Sequence, residues 1–299
     1  MKLASVEHGG KSLWGIIDEG ELICLEAQWP SLMVALEHQA ALPAALKRSK
    51  ARVSLAEIDS WRPPVVTPGK IFCVGINYRS HAAETGNTAV KSHPSIFTRF
   101  ADSFVGHEQA VVKPSISDAF DYEAELAVVI GRGGRHIKAE QALEHVAGYT
   151  CLAENSARDY QRHNAQVTPG KNFYHSGAVG PWLVTADEIG DVTRLSIQGR
   201  LNGRVMQSAT LSELIFSIPQ IIAYVSSFTP LAPGDLIATG TPQGVGAARV
   251  PPVFMKEGDL LEVEISSIGV LKNRVAAEEP QGTTAPRGHR SHGSPDEQT

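Results

Sequence analysis

The segment Ala124-Glu125-Leu126-Ala127-Val128-Val129-Ile130, closed by Gly131, constrains this chain more than any other. A short apolar run ended by glycine is too brief for a helix of ordinary length and reads as a buried strand. Yet Glu125 lies inside it, and Asp121-Tyr122-Glu123 leads into it. Side chains alternate along a strand, so acids at i and i+2 share a face, and Glu123 and Glu125 stand side by side. Two unpaired carboxylates about 4 Å apart repel by about 4 kcal/mol at an effective dielectric of about 20. A divalent cation removes that cost, and oxygen-only ligands suit Mg2+ or Mn2+, with Ca2+ as an alternative, better than Zn2+. On these residues alone, a solvated strand edge with both acids facing water stands as an equal reading.

The surrounding pattern extends the β reading. Lys70-Ile71-Phe72-Cys73-Val74-Gly75 reads as a second buried strand, and 182–185, 195–201, 235–238 and 260–265 as further ones. With 27 Gly and 18 Pro and only 6% aromatic residues, the chain favours many short strands over a helical bundle. Trp14-Gly15-Ile16-Ile17 and Leu22-Ile23-Cys24-Leu25 flank the turn Asp18-Glu19-Gly20-Glu21 as a hairpin. Apolar spacing predicts helices over 31–49, 138–147 and 211–228, the last interrupted by Pro219. Pro63-Pro64 and Pro68-Gly69 place a boundary near residue 66. The expected organisation is a small N-terminal domain over 1–66, a catalytic domain over 67–278 and a disordered tail over 279–299. The tail has almost no large apolar residues with which to offset its ordering entropy. Its His289 and His292 have a spacing some metal sites use, but without carboxylate or cysteine support.

Composition excludes several functions. The net charge is -5, and the basic residues are scattered apart from a brief cluster at Lys47, Arg48, Lys50 and Arg52. No basic stripe for a nucleic acid and no basic amphipathic helix for a membrane surface is visible. No apolar stretch nears the roughly 18 residues that span a bilayer. Cys24, Cys73 and Cys151 are odd in number and lack a CxxC, so they read as reduced thiols. With no signal-peptide pattern at the N-terminus, the expected location is cytoplasmic.

Further motifs surround the acid pair: Val74-Gly75-Ile76-Asn77-Tyr78 with His81 after it, Pro94-Ser95-Ile96-Phe97, Ser156-Ala157-Arg158-Asp159, Gly180-Pro181-Trp182, and Thr239-Gly240-Thr241-Pro242-Gln243-Gly244-Val245-Gly246. In this order, from about Lys70 to Ala276, they resemble the fumarylacetoacetate hydrolase family. The resemblance implies an α+β, β-rich fold: a mixed β-sheet roll that carries the site, with a small N-terminal α/β domain. It implies a homodimer and metal ligands at Glu123 and Glu125. The third ligand falls at Glu154, where the family pattern has aspartate, and Ala153 stands where it has asparagine. Glutamate is one methylene longer, and cation–oxygen distances tolerate only about 0.2 Å, so the backbone or rotamer has to adjust. By the same resemblance Lys171 faces the substrate. His81 and Glu84 form a water-activating pair on a lid, meeting at i and i+3 if that segment is helical. Arg99, Gln161 and Thr241 become candidate substrate contacts. The 239–246 loop lacks the Gly-Lys-Ser/Thr ending of a phosphate cradle.

The chemistry so implied is metal-dependent cleavage of a C–C bond in an acylpyruvate such as fumarylpyruvate, releasing pyruvate. The substrate would be a small 2-oxo acid from aromatic or 2-oxo acid catabolism. Oxaloacetate decarboxylation and the isomerisation or hydration of an unsaturated 2-oxo acid draw on the same metal-enolate chemistry. A non-catalytic metabolite-binding homologue is the alternative of another class.

Overall fold

The computed structural model describes residues 1–86 and 92–279. Ala124–Ile130 is a strand with every residue buried. Its even-numbered members Leu126, Val128 and Ile130 pack into one core, and Ala127 and Val129 into another on the opposite face. Covering on both faces is why the run is apolar without alternation. It pairs antiparallel with Val146–Ala153 on one side and with Leu236–Ala238 on the other. The sheet continues from Leu236–Ala238 in parallel to Ile71–Gly75 and ends at Ser95–Thr98.

In the other direction Val146–Ala153 pairs with Gly177–Thr185, and Gly177–Thr185 pairs with Lys2–His8. Residues 1–66, expected as a small unit of their own, therefore supply strands that extend the same sheet, through Lys11–Asp18 and Glu21–Cys24 to Arg52–Ser54. A second sheet of five strands, Arg204–Thr210, Ser196–Leu201, Leu260–Ile265, Gly269–Ala277 and Val111–Lys113, brings Ile197, Val263 and Leu271 into the core that holds Leu126. The result is the β-rich α+β architecture expected from the sequence. Cys24, Cys73 and Cys151 are free and buried.

Three helical expectations are corrected. The 31–49 segment is two short helices, Leu32–Ala35 and Leu42–Arg48, joined by a 3-10 turn with a kink at His38. Pro43 has no N–H to continue an upstream helical ladder and instead opens the second helix. Residues 139–145 form a 3-10 turn, after which the chain enters the strand Val146–Ala153. Over 211–228 the helix is Ile218–Phe228, and Pro219 sits in its first turn, where its missing N–H has no intrahelical partner to lose. Ser217 and Gln220 close that turn as a capping box. The expected disordered tail and its His289 and His292 lie outside the described residues, apart from Glu279.

Close approach between strands fixes one glycine. A Cβ at Gly148 would stand 2.1 Å from the Val184 carbonyl oxygen. Gly148→Ala is therefore expected to push Val146–Ala153 away from Gly177–Thr185. The cost is about 1–3 kcal/mol, which at about 2–4 °C per kcal/mol is a melting drop of several degrees by calorimetry.

Candidate active site

Pairing between neighbouring strands assembles the acids. Glu125 lies on Ala124–Ile130, and Glu154 directly follows Val146–Ala153. The Glu154 N–H donates to the Glu123 carbonyl at 2.9 Å, which carries the two chains past the end of the ladder and sets these residues opposite each other. One carboxylate oxygen from each of Glu123, Glu125 and Glu154 lies within 4.8 Å of the others, and all three residues are buried. The longer arm of Glu154 is thus accommodated within the cluster.

Lys171, on the short helix Thr168–Lys171, reaches into this cluster and is 2% exposed. Its Nζ donates to Glu123 Oε1 at 2.8 Å and also contacts Glu154 Oε2. Arg158 Nη1 lies 3.0 Å from Glu123 Oε1, and Ser156 Oγ donates to the same oxygen. The Gly240 N–H donates to Glu125 Oε2 at 2.8 Å.

These surroundings split the three acids. Burial by itself would raise the Glu123 carboxyl, but Arg158 and Lys171 beside it, with hydrogen bonds from Lys171 and Ser156, hold it down at about 2. Burial, then the charges of Glu154 and Glu123, push the Glu125 carboxyl well above the carboxylate range against the pull of Lys171 and Gly240. Burial also raises Glu154, with Lys171 and Arg99 acting in the opposite direction. Lys171 is raised despite its burial because Glu123 and Glu154 face it. A buried all-oxygen donor set, with one carboxyl forced towards its neutral form by its own neighbours, fits a hard divalent cation such as Mg2+ or Mn2+.

His81 and Glu84 do meet. They lie on the helix Arg79–Glu84, with Nδ1 of His81 2.7 Å from Oε1 of Glu84. The Gly244 N–H donates to both oxygens of Glu84, at 3.1 and 2.9 Å, so the 239–246 loop fixes the carboxylate that orients the imidazole. The pair lines a cleft of about 350 Å³ together with Arg158, Gln161 and Arg162. A second, larger cleft of about 590 Å³ runs between Ser95–Thr98 and residues 161–168.

Two other sequence candidates, Arg99 and Thr241, are buried. The Arg99 guanidinium is buried and donates to Glu154 Oε1 at 3.0 Å, to Ser176 Oγ at 2.8 Å and to Ser103 Oγ at 3.1 Å. Where a substrate contact was expected, it holds the third carboxylate in place. Thr241 Oγ1 is likewise engaged, donating to the Ala124 carbonyl at 2.9 Å and accepting from Gln207 at 2.8 Å. Gln161 lines both clefts and accepts from Arg158 Nη1 at 2.9 Å.

Sequence reasoning passed over Asp121 and Arg158 as site residues. Asp121 accepts from Arg158 Nε at 2.8 Å and from the Gly246 and Ala247 N–H groups at 2.7 and 3.0 Å. It ties the arginine and the 239–246 loop to the segment that leads through Glu123 into Ala124–Ile130. The i, i+2, i+4 spacing of Asp121, Glu123 and Glu125 was the available signal.

With this geometry in hand, three comparisons bear on kinship. The family model described as fumarylacetoacetate (FAA) hydrolase C-terminal matches residues 70–276. Oxaloacetate tautomerase FAHD2A, mitochondrial, of Bos taurus is 41% identical over 267 residues, spanning 87% of this chain and 84% of its own. Among solved structures, fumarylacetoacetate hydrolase from psychrophilic Exiguobacterium antarcticum superposes with a TM-score of 0.83 at 32% identity, over 93% of this chain and 100% of that one. Maleylpyruvate hydrolase from Sphingobium sp. SYK-6, in complex with manganese(II) ion and pyruvate, gives 0.77 at 29% identity over the same shares.

Proposed function

This chain belongs to the fumarylacetoacetate hydrolase family, and from that membership and the geometry of its site we propose that it interconverts the enol and keto forms of a 2-oxo acid, for which enol-oxaloacetate serves as the simplest probe. The observation that carries this reading is the His81–Glu84 acid–base pair, held in a cleft that shares Arg158 with the carboxylate cluster. The 41% identity to an oxaloacetate tautomerase favours proton transfer over the other reactions such a site supports.

Glu123, Glu125 and Glu154 would hold Mg2+ or Mn2+, and the bound cation supplies Lewis acidity towards the oxygens of the 2-oxo acid. Lys171, positive and buried, adds a fixed charge where the substrate becomes an enolate. Tautomerisation moves one proton: ketonisation removes it from the oxygen on carbon 2 and adds one to carbon 3. With Nδ1 of His81 engaged by Glu84, exchange with carbon 3 falls to Nε2. The Glu84 carboxyl group, fixed by Gly244, keeps the ring in one orientation.

Hydrolysis of an acylpyruvate is the second reading, and the same pair favours it, because Nε2 could equally take a proton from water attacking carbon 4. The likeness to maleylpyruvate hydrolase supports it. The deciding assay follows the decay of enol-oxaloacetate and the release of pyruvate from acylpyruvates, with Mn2+ and with EDTA. Metal-dependent acceleration of the first with little of the second is expected; pyruvate release alone would turn the assignment to hydrolysis. His81→Ala is expected to slow the proton-transfer step by about 10²- to 10⁴-fold. Mn2+ binding should persist, and an unchanged rate would remove His81 from this role.

A further inference from the structure

Eight non-glycine residues among those described have a positive φ, and two of them are β-branched: Ile76 at 55° and Val167 at 59°. A branched Cβ clashes with its own backbone in this region, so such residues are true outliers and gather where function holds them. Both line the same cleft, the one of about 590 Å³. Ile76 bounds it from the turn after Ile71–Gly75, and Val167 from the residue before the helix that presents Lys171.

The cleft has a distinct character. Its described lining includes Ile96, Phe97 and Ala165 with several neutral polar groups, and no charged side chain. The neighbouring cleft carries His81, Glu84, Arg158 and Arg162. The two share Ile76 and Gln161, so they are arms of one site. Phe97 brings the neutral arm to the carboxylate cluster, since Lys171 Nζ lies 5.0 Å from the centre of its ring.

Resting on the 2-oxo acid reading, we infer that this neutral arm binds an uncharged substituent of several carbons on the substrate, and that Ile76 and Val167 set this specificity. A four-carbon diacid leaves most of the arm unfilled. A charged tail placed there would lose its hydration and find no counter-ion among the lining residues described.

The test is a ladder of ligands titrated calorimetrically into the Mn2+-loaded protein: pyruvate, 2-oxobutanoate, 2-oxopentanoate and 2-oxohexanoate, with 2-oxoadipate as the charged-tail counterpart of the last. Each added methylene is expected to tighten binding about threefold to fourfold. The terminal carboxylate of 2-oxoadipate should cancel most of the accumulated gain. Val167→Trp, which fills the arm, should flatten the increments; the increment and not the affinity is read, so a general loss of binding does not mimic the effect. Ile76→Arg should reverse the order of 2-oxohexanoate and 2-oxoadipate, and melting curves establish that both variants fold. Pyruvate that binds, followed by a flat ladder in the unmodified protein, overturns this inference alone. Pyruvate that fails to bind with Mn2+ overturns the 2-oxo acid reading and this inference with it. Equal binding of 2-oxohexanoate and 2-oxoadipate rejects the neutral character assigned to the arm.

Discussion

Glu125→Gln is expected to cut turnover by about 10³-fold, beyond the 10- to 100-fold typical of partners that only support a metal ligand. It should also make the metal-free protein more stable at alkaline pH. The two effects share one cause. In the metal-free protein Glu125 and Glu154 both have raised folded-state values, chiefly from burial. Their contribution to stability is complete below the ordinary value of 4.5 and is lost as pH rises through the raised ones. Glu123, held at about 2, contributes above 4.5, and that share is lost as pH falls towards 2. The metal-free protein should therefore weaken on its alkaline side, and a bound cation should remove that weakness. Glutamine at 125 takes away one of the two responsible groups. Melting temperatures from pH 5 to pH 9 in EDTA, for both proteins, measure this; a variant no more stable than the parent at pH 9 would contradict the strained-cluster account.

Lys171→Met is the second large effect, and it has the opposite sign in stability. The ammonium contacts Glu123 and Glu154, whose side chains are 6% and 1% exposed, while its own is 2% exposed. Removing one member of a buried ionic network typically costs about 3–5 kcal/mol, because the remaining charges are left unpaired. At about 2–4 °C per kcal/mol for a chain of this size, the metal-free variant should melt on the order of 10 °C lower. Saturating Mn2+ should recover a larger share of stability in the variant than in the parent, since the cation then restores, beside Arg158 and Arg99, the positive charge the acids have lost. Activity should stay about 10²-fold or more below the parent even when Mn2+ saturates. Recovery of activity along with stability would mean that Lys171 merely neutralises the acids.

How much of this was legible depended on whether a feature was local. Ala124–Ile130 was legible because a strand covered on both faces is apolar without alternation, here interrupted only by Glu125, and because the run is short and closed by Gly131. The alternation rule placed Glu123 and Glu125 together before any tertiary information entered. His81 and Glu84 came from the family resemblance, and their i, i+3 spacing brings them together because that segment is the helix Arg79–Glu84. Arg99 and Glu154 are 55 residues apart, and their pairing arises where Ser95–Thr98 at the end of the sheet meets the turn after Val146–Ala153. No periodicity encodes that encounter, and the family resemblance alone makes Arg99 a candidate substrate contact. Asp121 shows a further limit: its parity with Glu123 and Glu125 was visible, but the N–H groups it accepts from belong to a loop 125 and 126 residues away. At Pro219 the residue was noticed and its position within the helix misplaced, because a proline that interrupts a helix and one that begins it differ only in where the preceding ladder starts.

The two halves of the site rest on parts of the sheet with different neighbours. Glu125 lies on a strand held on both sides, and Glu123 and Glu154 directly adjoin Ala124–Ile130 and Val146–Ala153, which are each paired on both sides. The wall of the neutral arm is Ser95–Thr98, which among the described residues ladders only with Ile71–Gly75 and closes the sheet. Substitutions in that wall disturb one ladder, whereas substitutions around the acids disturb several at once. Over evolutionary time the choice of substrate can therefore drift most readily through 161–168, which joins no ladder of the sheet, while the reaction itself stays under purifying selection and the Pro94 to Phe97 motif shared with the family keeps the arm's other wall in place.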